Sequence, residues 1–346
     1  MGGSVAQPIP SDESNLTRVD GTVGVISREA HMIDRVYKSM KGPYSAQSLH
    51  LVKNEEPELI WLTGYRGDML RGDGKTPTSQ QYFCHSNLDL DPARHNQIFG
   101  MRKVQSPRLF TLTQGGLTIK FPEGFGIPVM SDETLTTTTQ VLNLNATDDK
   151  FEVRSRVHID YVRDRDLKQP MTPLFQTTAF GMVSLEGRQM LFNKQHFDDE
   201  NCESCCLPGR DSSGNFYSDR FGRRFTGHWV VEPGQHVYRT LVTDLLNLPF
   251  DTTIHFIAVH LHPFSESVEL RDVTKGQSVF KSKTRNYTDR IGLEHMDYYS
   301  SVEGLPLYKD HEYELVSEYN NTTTVEQDSM ASMFFYVVDQ EFKTPK

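Results

Sequence analysis

Apolar and polar residues alternate with a period of two through much of the chain. In FEVRSRVHIDYV, Val153, Val157, Ile159 and Tyr161 share one side of an extended backbone, and charged residues with His158 fill the other. Short runs of the same kind recur at LFTLTQGGLTIKF, LTTTTQVLNLN, HWVVEPGQHVYRTLV, TTIHFIAVHLH, SVELRDV, HEYELVSEY and SMFFYVV. Each is rich in β-branched or aromatic residues and bounded by Gly, Pro, Asn or Asp, which reads as antiparallel strands burying one face. The expected fold is all-β, built from antiparallel β-sandwiches of jelly-roll-like form. One helix is predicted, over REAHMIDRVYKSM at residues 28–40.

Turn-forming clusters stand at residues 71–77, 121–133 and 205–215. The charged, twice proline-bearing stretch around residue 168 interrupts the alternation and is the expected domain boundary. The 346 residues amount to about two domains at roughly 150 residues each. The predicted organisation is a flexible leader over 1–25, an N-terminal sandwich over 26–167 and a C-terminal sandwich over 168–346.

Composition narrows the partners. Lys and Arg number 36 against 46 Asp and Glu, a net charge of −10 that argues against nucleic acid, whose phosphates require a basic footprint. No run reaches the roughly 18 apolar residues of a membrane span. Sequons at Asn15, Asn145, Asn286, Asn320 and Asn321 lead to the expectation of a secreted or periplasmic protein.

Thirteen histidines are the candidate chemistry. In TTIHFIAVHLHPF, Phe256, Ala258, His260 and His262 share one strand face, and Ile257, Val259 and Leu261 share the other. Two residues along a strand span roughly 6.5–7 Å, a spacing from which two imidazoles converge on one metal ion. The bland alternative is an exposed face that happens to carry histidines. Met330 and Met333, 68 and 71 residues after His262, are candidates for a third ligand or simple core filling. A thioether beside two imidazoles selects copper, Cu(I) above all. His228 and His236 read as solvated ends of strand HWVVEPGQH, and His255 as lying opposite His260 by parity.

VHLHP, EYNNTT and DSMASMFFYV together resemble the C-terminal domain of the copper type II, ascorbate-dependent monooxygenases, the family of peptidylglycine α-hydroxylating and dopamine β-monooxygenases. EPGQHVYR resembles the strand before the H-x-H pair in bacterial relatives. LFTLTQGG, FPEGFGIPV and LTTTTQVLNLN resemble the family's N-terminal run. The likeness covers most of residues 80–340, except about 185–225. It implies two sandwiches with one copper site each, Cu(I)/Cu(II) chemistry driven by ascorbate or another external reductant, and dioxygen activated at His260, His262 and Met330.

The chain departs from that family at three places. The adjacent His-His pair of the family's first copper aligns with Cys84 and His85, and its third histidine falls at Asn143. The first site is therefore expected to be lost or rebuilt, with His85 its remnant and His95, His158 or Cys84 as replacements. Ala258, Ser332 and Phe334 stand where the family binds peptidylglycine, so the substrate is some other small molecule or peptide. An insertion at 196–220 carries His196, Cys202, Cys205 and Cys206, which form a second metal site, a disulfide cluster or a redox element. DSSGN within it reads as a turn. The expected function is copper-dependent hydroxylation, with a non-catalytic copper-binding protein on the same fold as the alternative.

Overall fold

A computed structural model describes residues 14–39, 41–52, 56–99, 107–146, 149–185, 216–218 and 223–345. The alternating runs form strands, and the fold is all-β. In the N-terminal half, Leu16–Val19, Thr22–Ile26, Phe151–Arg163, Leu59–Arg71 and Phe125–Met130 lie side by side. A four-stranded sheet of Tyr44–Leu49, Leu135–Val141, Phe83–Leu90 and Arg108–Thr113 closes over them. The C-terminal half repeats the plan. Thr172–Phe180, Ala331–Val338, Thr252–Leu261 and Tyr299–Leu307 face a sheet of Gly234–Leu241, Tyr313–Asn321, Ser265–Asp272, Gln277–Asn286 and Leu293–Met296.

The first-named sheet of each half joins the other edge to edge through a two-residue parallel pairing, Thr172 with Phe125 and Pro173 with Gly126. The expected boundary near residue 168 falls in the link just before that junction. The halves also meet face to face. Ile257, Val259, Leu261, Met333 and Phe335 pack into the C-terminal core, whereas Phe256, Phe334 and Tyr336 pack into the N-terminal one. Tyr336 lies 4.8 Å from Phe121 and 5.7 Å from Phe110 between ring centroids. The sheet that carries the histidine strand is thus buried on both faces, which explains its near-continuous apolar sequence.

Two expectations need correction. The described residues 28–39 hold no α-helix: His31–Ile33 is a strand with His31 and Ile33 buried and Met32 exposed. It pairs with Phe151–Val153, and the ladder offered by that long strand outweighs a weak helical pattern. The α-helix of this half is Pro92–Phe99, begun by Asp91, whose Oδ1 accepts the Ala93 N–H at 2.9 Å, with proline at the first position. The assigned leader is a hairpin from Leu16 onward, because Val23 and Val25 bury against Phe151–Arg163 around a turn at Gly21, φ +71°.

Four of the five sequon asparagines have bonded side-chain amides. Nδ2 of Asn15 donates to Gln47, that of Asn145 to the Ile291 carbonyl and that of Asn286 to the Ser265 carbonyl. Asn321, 1% exposed, donates to the carbonyls of Val231 and Val325. Among the described residues no helix is long and apolar enough to cross a membrane.

Candidate functional site

The expected face of the histidine strand is realised. Phe256 lies in the aromatic seam between the halves, and His260 and His262 continue that face toward the strand's end, their ring centroids 5.4 Å apart. His260 is 9% exposed and makes no hydrogen bond among the described residues. Burial is the main reason its ring is held well below the usual histidine pKa, with His262, His85, His228 and Arg108 adding repulsion. His260 is therefore a neutral imidazole, the form that ligates metals.

His262 is oriented from two sides. Its Nδ1 stands 3.2 Å from the Asp328 carbonyl and 3.3 Å from the Asp328 carboxylate, and its Nε2 stands 3.3 Å from the Ser39 hydroxyl. With the Nδ1 proton given to Asp328, the Nε2 lone pair faces Ser39 and the cavity. The backbone beyond is strained: Phe264 has φ +69°, unusual for an aromatic residue. That turn is pinned because the Phe264 N–H donates to Asn286 Oδ1 and its carbonyl accepts the Asn320 N–H, both at 2.8 Å.

Met330 links the short strand Gln327–Ser329 to Ala331–Val338. It stands one residue after Ser329, the partner of Trp229, and one before Ala331, the partner of Leu261. It is buried, at 8% exposure, and its carbonyl accepts the Tyr319 hydroxyl. Met333 packs in the C-terminal core.

His85 belongs to this same region. Its strand, Phe83–Leu90, pairs with Arg108–Thr113 opposite Thr113, and the Thr113 hydroxyl donates across the seam to the Val259 carbonyl at 3.2 Å. The His85 ring thereby lies 6.2 Å from that of His260, with Nδ1 3.3 Å from Cys84 Sγ. Burial pushes its pKa down to about 3, and Arg108, His262 and His228 add to the shift. His228 is the residue sequence reasoning missed. It is half-buried rather than a solvated strand end, and its ring lies 6.4 Å from that of His262, placed there by the bridge between Trp229 and Ser329. Only its adjacency to the buried Trp229 hinted at this.

Other histidines are placed elsewhere. His95 bonds to Glu133, and His158 sits on Phe151–Arg163 against Gly24. His255 breaks its expected parity because the pairing slips between Ile254 and Phe256, and its ring stacks on Phe125 of the N-terminal half at 4.1 Å. Asn143 is a clamp: its Nδ2 donates to the Arg35 carbonyl at 2.8 Å, while the flanking Leu142 and Leu144 line the cavity. His196, Cys202, Cys205 and Cys206 lie outside the described residues.

A cavity of about 240 Å³ opens over His260 and His262 at the seam. Val36, Leu142, Leu144, Phe264 and Ile291 form its apolar walls, with Lys38, Glu326 and Asp328 as charged groups. Among the described residues, no three His, Cys, Asp or Glu side chains already surround one point at metal-ligand distance. Fit to a metal rests on two imidazoles on one face, His260 buried and His262 held by Asp328, with Met330 beside them in the link before Ala331–Val338 but not among the residues that line the cavity.

No protein-family model matches the sequence, and no curated protein matches it. Among solved structures, the STIV MCP aligns over 92% of this chain and 96% of its own, at 7% identity and a TM-score of 0.32. The mosquito-larvicidal Cry4Aa toxin from Bacillus thuringiensis aligns over 89% of this chain and 59% of its own, at 7% identity and a TM-score of 0.21. At these scores neither likeness carries an argument.

Proposed function

We propose that the chain binds copper at His260, His262 and Met330 and hydroxylates a C–H bond of a small, largely apolar molecule held in the seam cavity. The observation that carries this reading is the buried His260–His262 pair, its rings 5.4 Å apart, opening directly onto that cavity. Copper, when bound, supplies the one-electron chemistry that dioxygen requires. The net reaction inserts one oxygen atom into the C–H bond and releases the other as water, with two electrons and two protons from a reductant such as ascorbate.

The chain's own residues supply the rest. Asp328 orients the His262 ring through Nδ1, so that Nε2 points to Ser39 and the cavity. Val36, Leu142, Leu144 and Ile291 exclude water from the substrate. Position 258 is an alanine, so no guanidinium anchors a peptide carboxylate there, and the substrate differs from peptidylglycine.

A second reading, a non-catalytic copper-binding protein, draws on Asn143, which is engaged with backbone where a storage copper would need a ligand. Anaerobic copper titration followed by ascorbate-driven oxygen uptake separates the two. The first reading expects oxygen consumption that rises with an apolar substrate and disappears in His260→Ala. Stoichiometric copper with no reductant-dependent turnover across a substrate panel sinks the enzyme and keeps the binder. An X-ray absorption spectrum of the Cu(I) form without a sulfur ligand counts against both, since both use Met330.

A further inference from the structure

The N-terminal half holds a second cavity, of about 360 Å³, that shares no lining residue with the one at the seam. It lies between the two sheets of that half, whose inward positions should be apolar. Elsewhere they are: Val153, Val157 and Ile159 enter the core from one sheet, and Leu49 and Leu135 from the other. Around the cavity the rule fails. Ser155 takes the inward position between Val153 and Val157, and His31 stands two residues before the core residue Ile33. Across from them Gln47 pairs with Thr137 and Ser45 with Thr139, continuing the inward rows that begin at the Leu49–Leu135 pair. All of these line the cavity, and all but Ser45 are buried. Buried polar groups need partners, and folding alone would be better served by apolar residues here.

Several of the polar groups are fixed by the fold. The Thr139 hydroxyl lies 2.8 Å from that of Ser86, and the Gln47 amide exchanges two hydrogen bonds with Asn15. Ser27 Oγ donates to the Glu29 carbonyl at 3.0 Å and accepts the Ser155 N–H at 3.2 Å. A hydroxyl has one donor and two acceptor sites, so these contacts leave capacity for a ligand. His31 Nε2 is buried without a hydrogen-bond partner. Burial holds that ring below the ordinary histidine pKa, so it stands as a neutral imidazole. The charged residues of the lining, Arg28 and Glu29, are opposite in sign. Tyr44, 58% exposed, marks the open side and offers an aromatic face.

This lining selects among ligands. An apolar molecule would leave the hydroxyls and the imidazole unpaired. An anion calls for a surplus of positive charge, which the Arg28 and Glu29 pair does not supply. A neutral molecule rich in hydroxyl groups matches the lining group for group, and an apolar ring face suits Tyr44. We propose that the cavity binds a neutral pyranose sugar. The proposal is independent of the copper reading, because the two cavities share no residue.

The test is titration calorimetry on the full chain with glucose, galactose, mannose and N-acetylglucosamine, supported by saturation-transfer NMR on the sugar ring protons. At least one of the four is expected to bind with a millimolar or lower Kd. Ser155→Ala removes one hydroxyl from the lining and is expected to weaken binding roughly fivefold to tenfold. Tyr44→Ala alters an exposed residue, so it is expected to fold, and it should weaken binding by a similar factor. Circular dichroism verifies the fold of each variant. His260→Ala, at the seam, should leave sugar affinity unchanged. Failure of all four sugars to bind the wild type overturns the proposal, as does an unchanged affinity in either folded variant. Displacement of the bound sugar by inorganic phosphate or glucuronate at lower concentration than by the sugar itself also overturns it, since that would mark an anion site.

Discussion

Two buried histidines, His95 and His260, show what burial does and does not imply. His95, on the Pro92–Phe99 helix, is 7% exposed and gives its Nδ1 proton to Glu133 Oε1 at 2.9 Å. The other oxygen of Glu133 accepts the Met130 N–H at 2.7 Å, so one carboxylate closes a turn and satisfies a ring. His260 is as deeply buried, with no hydrogen bond among the described residues and other imidazoles as neighbours. The His95 ring is satisfied within the fold, whereas the His260 ring faces the seam cavity.

The largest effect that sharpens this contrast lies on the structural side. Glu133→Ala strands the His95 ring and frees the Met130 amide, and is expected to cost about 2–4 kcal/mol in urea unfolding. A loss under 1 kcal/mol would mean that His95 is no better satisfied than His260. Copper affinity should be unaffected by this change, because Glu133 is remote in the fold from the cavity lining.

Acid should act on the seam. The folded pKa values of His85 and His260 lie below the unfolded value near 6.5. Between the two, the unfolded chain binds the additional protons, so stability of the metal-free chain is fully present above about pH 6.5 and is lost as pH falls toward 3. Each such group contributes a slope approaching about 1.4 kcal/mol per pH unit inside that window. Chemical denaturation at successive pH values measures it. A His85→Phe variant should flatten the slope by about one group, and an unaltered slope would show that the ring is not held neutral.

Much of this was legible in the sequence, and the remainder has physical reasons for being hidden. Alternation located the histidine strand and assigned its two faces, because side-chain direction on a strand is a local property. His85 stands 175 positions before His260, and their approach depends on how two sandwiches dock, which no local pattern encodes. His228 was hidden for the same reason, since its position follows from the Trp229–Ser329 bridge. The role of Asn143 as a clamp on the Arg35 carbonyl likewise required the fold. Asn143→Ala is accordingly expected to cost about 1–2 kcal/mol in unfolding. Asn143→His is expected to add no second equivalent in copper titration, and a second equivalent would restore a separate N-terminal site to consideration.

The smallest expected effect bears most directly on the comparison. His260→Leu removes a polar ring that makes no hydrogen bond among the described residues and replaces it with an apolar group of similar volume. Replacing a buried polar group in this way strands no partner, so metal-free stability should change by less than about 1 kcal/mol. The corresponding His95→Leu change leaves Glu133 buried without its ring partner and should cost several times more. Copper reverses the ranking. Saturating Cu(I) stabilises a chain that binds it only when folded, by about 2.7 kcal/mol at a hundredfold excess over Kd. That increment should survive His95→Leu and vanish in His260→Leu. A thermal melt that Cu(I) raises equally in both variants would place copper somewhere other than the seam. A large metal-free loss in His260→Leu would instead make His260 a structural histidine like His95.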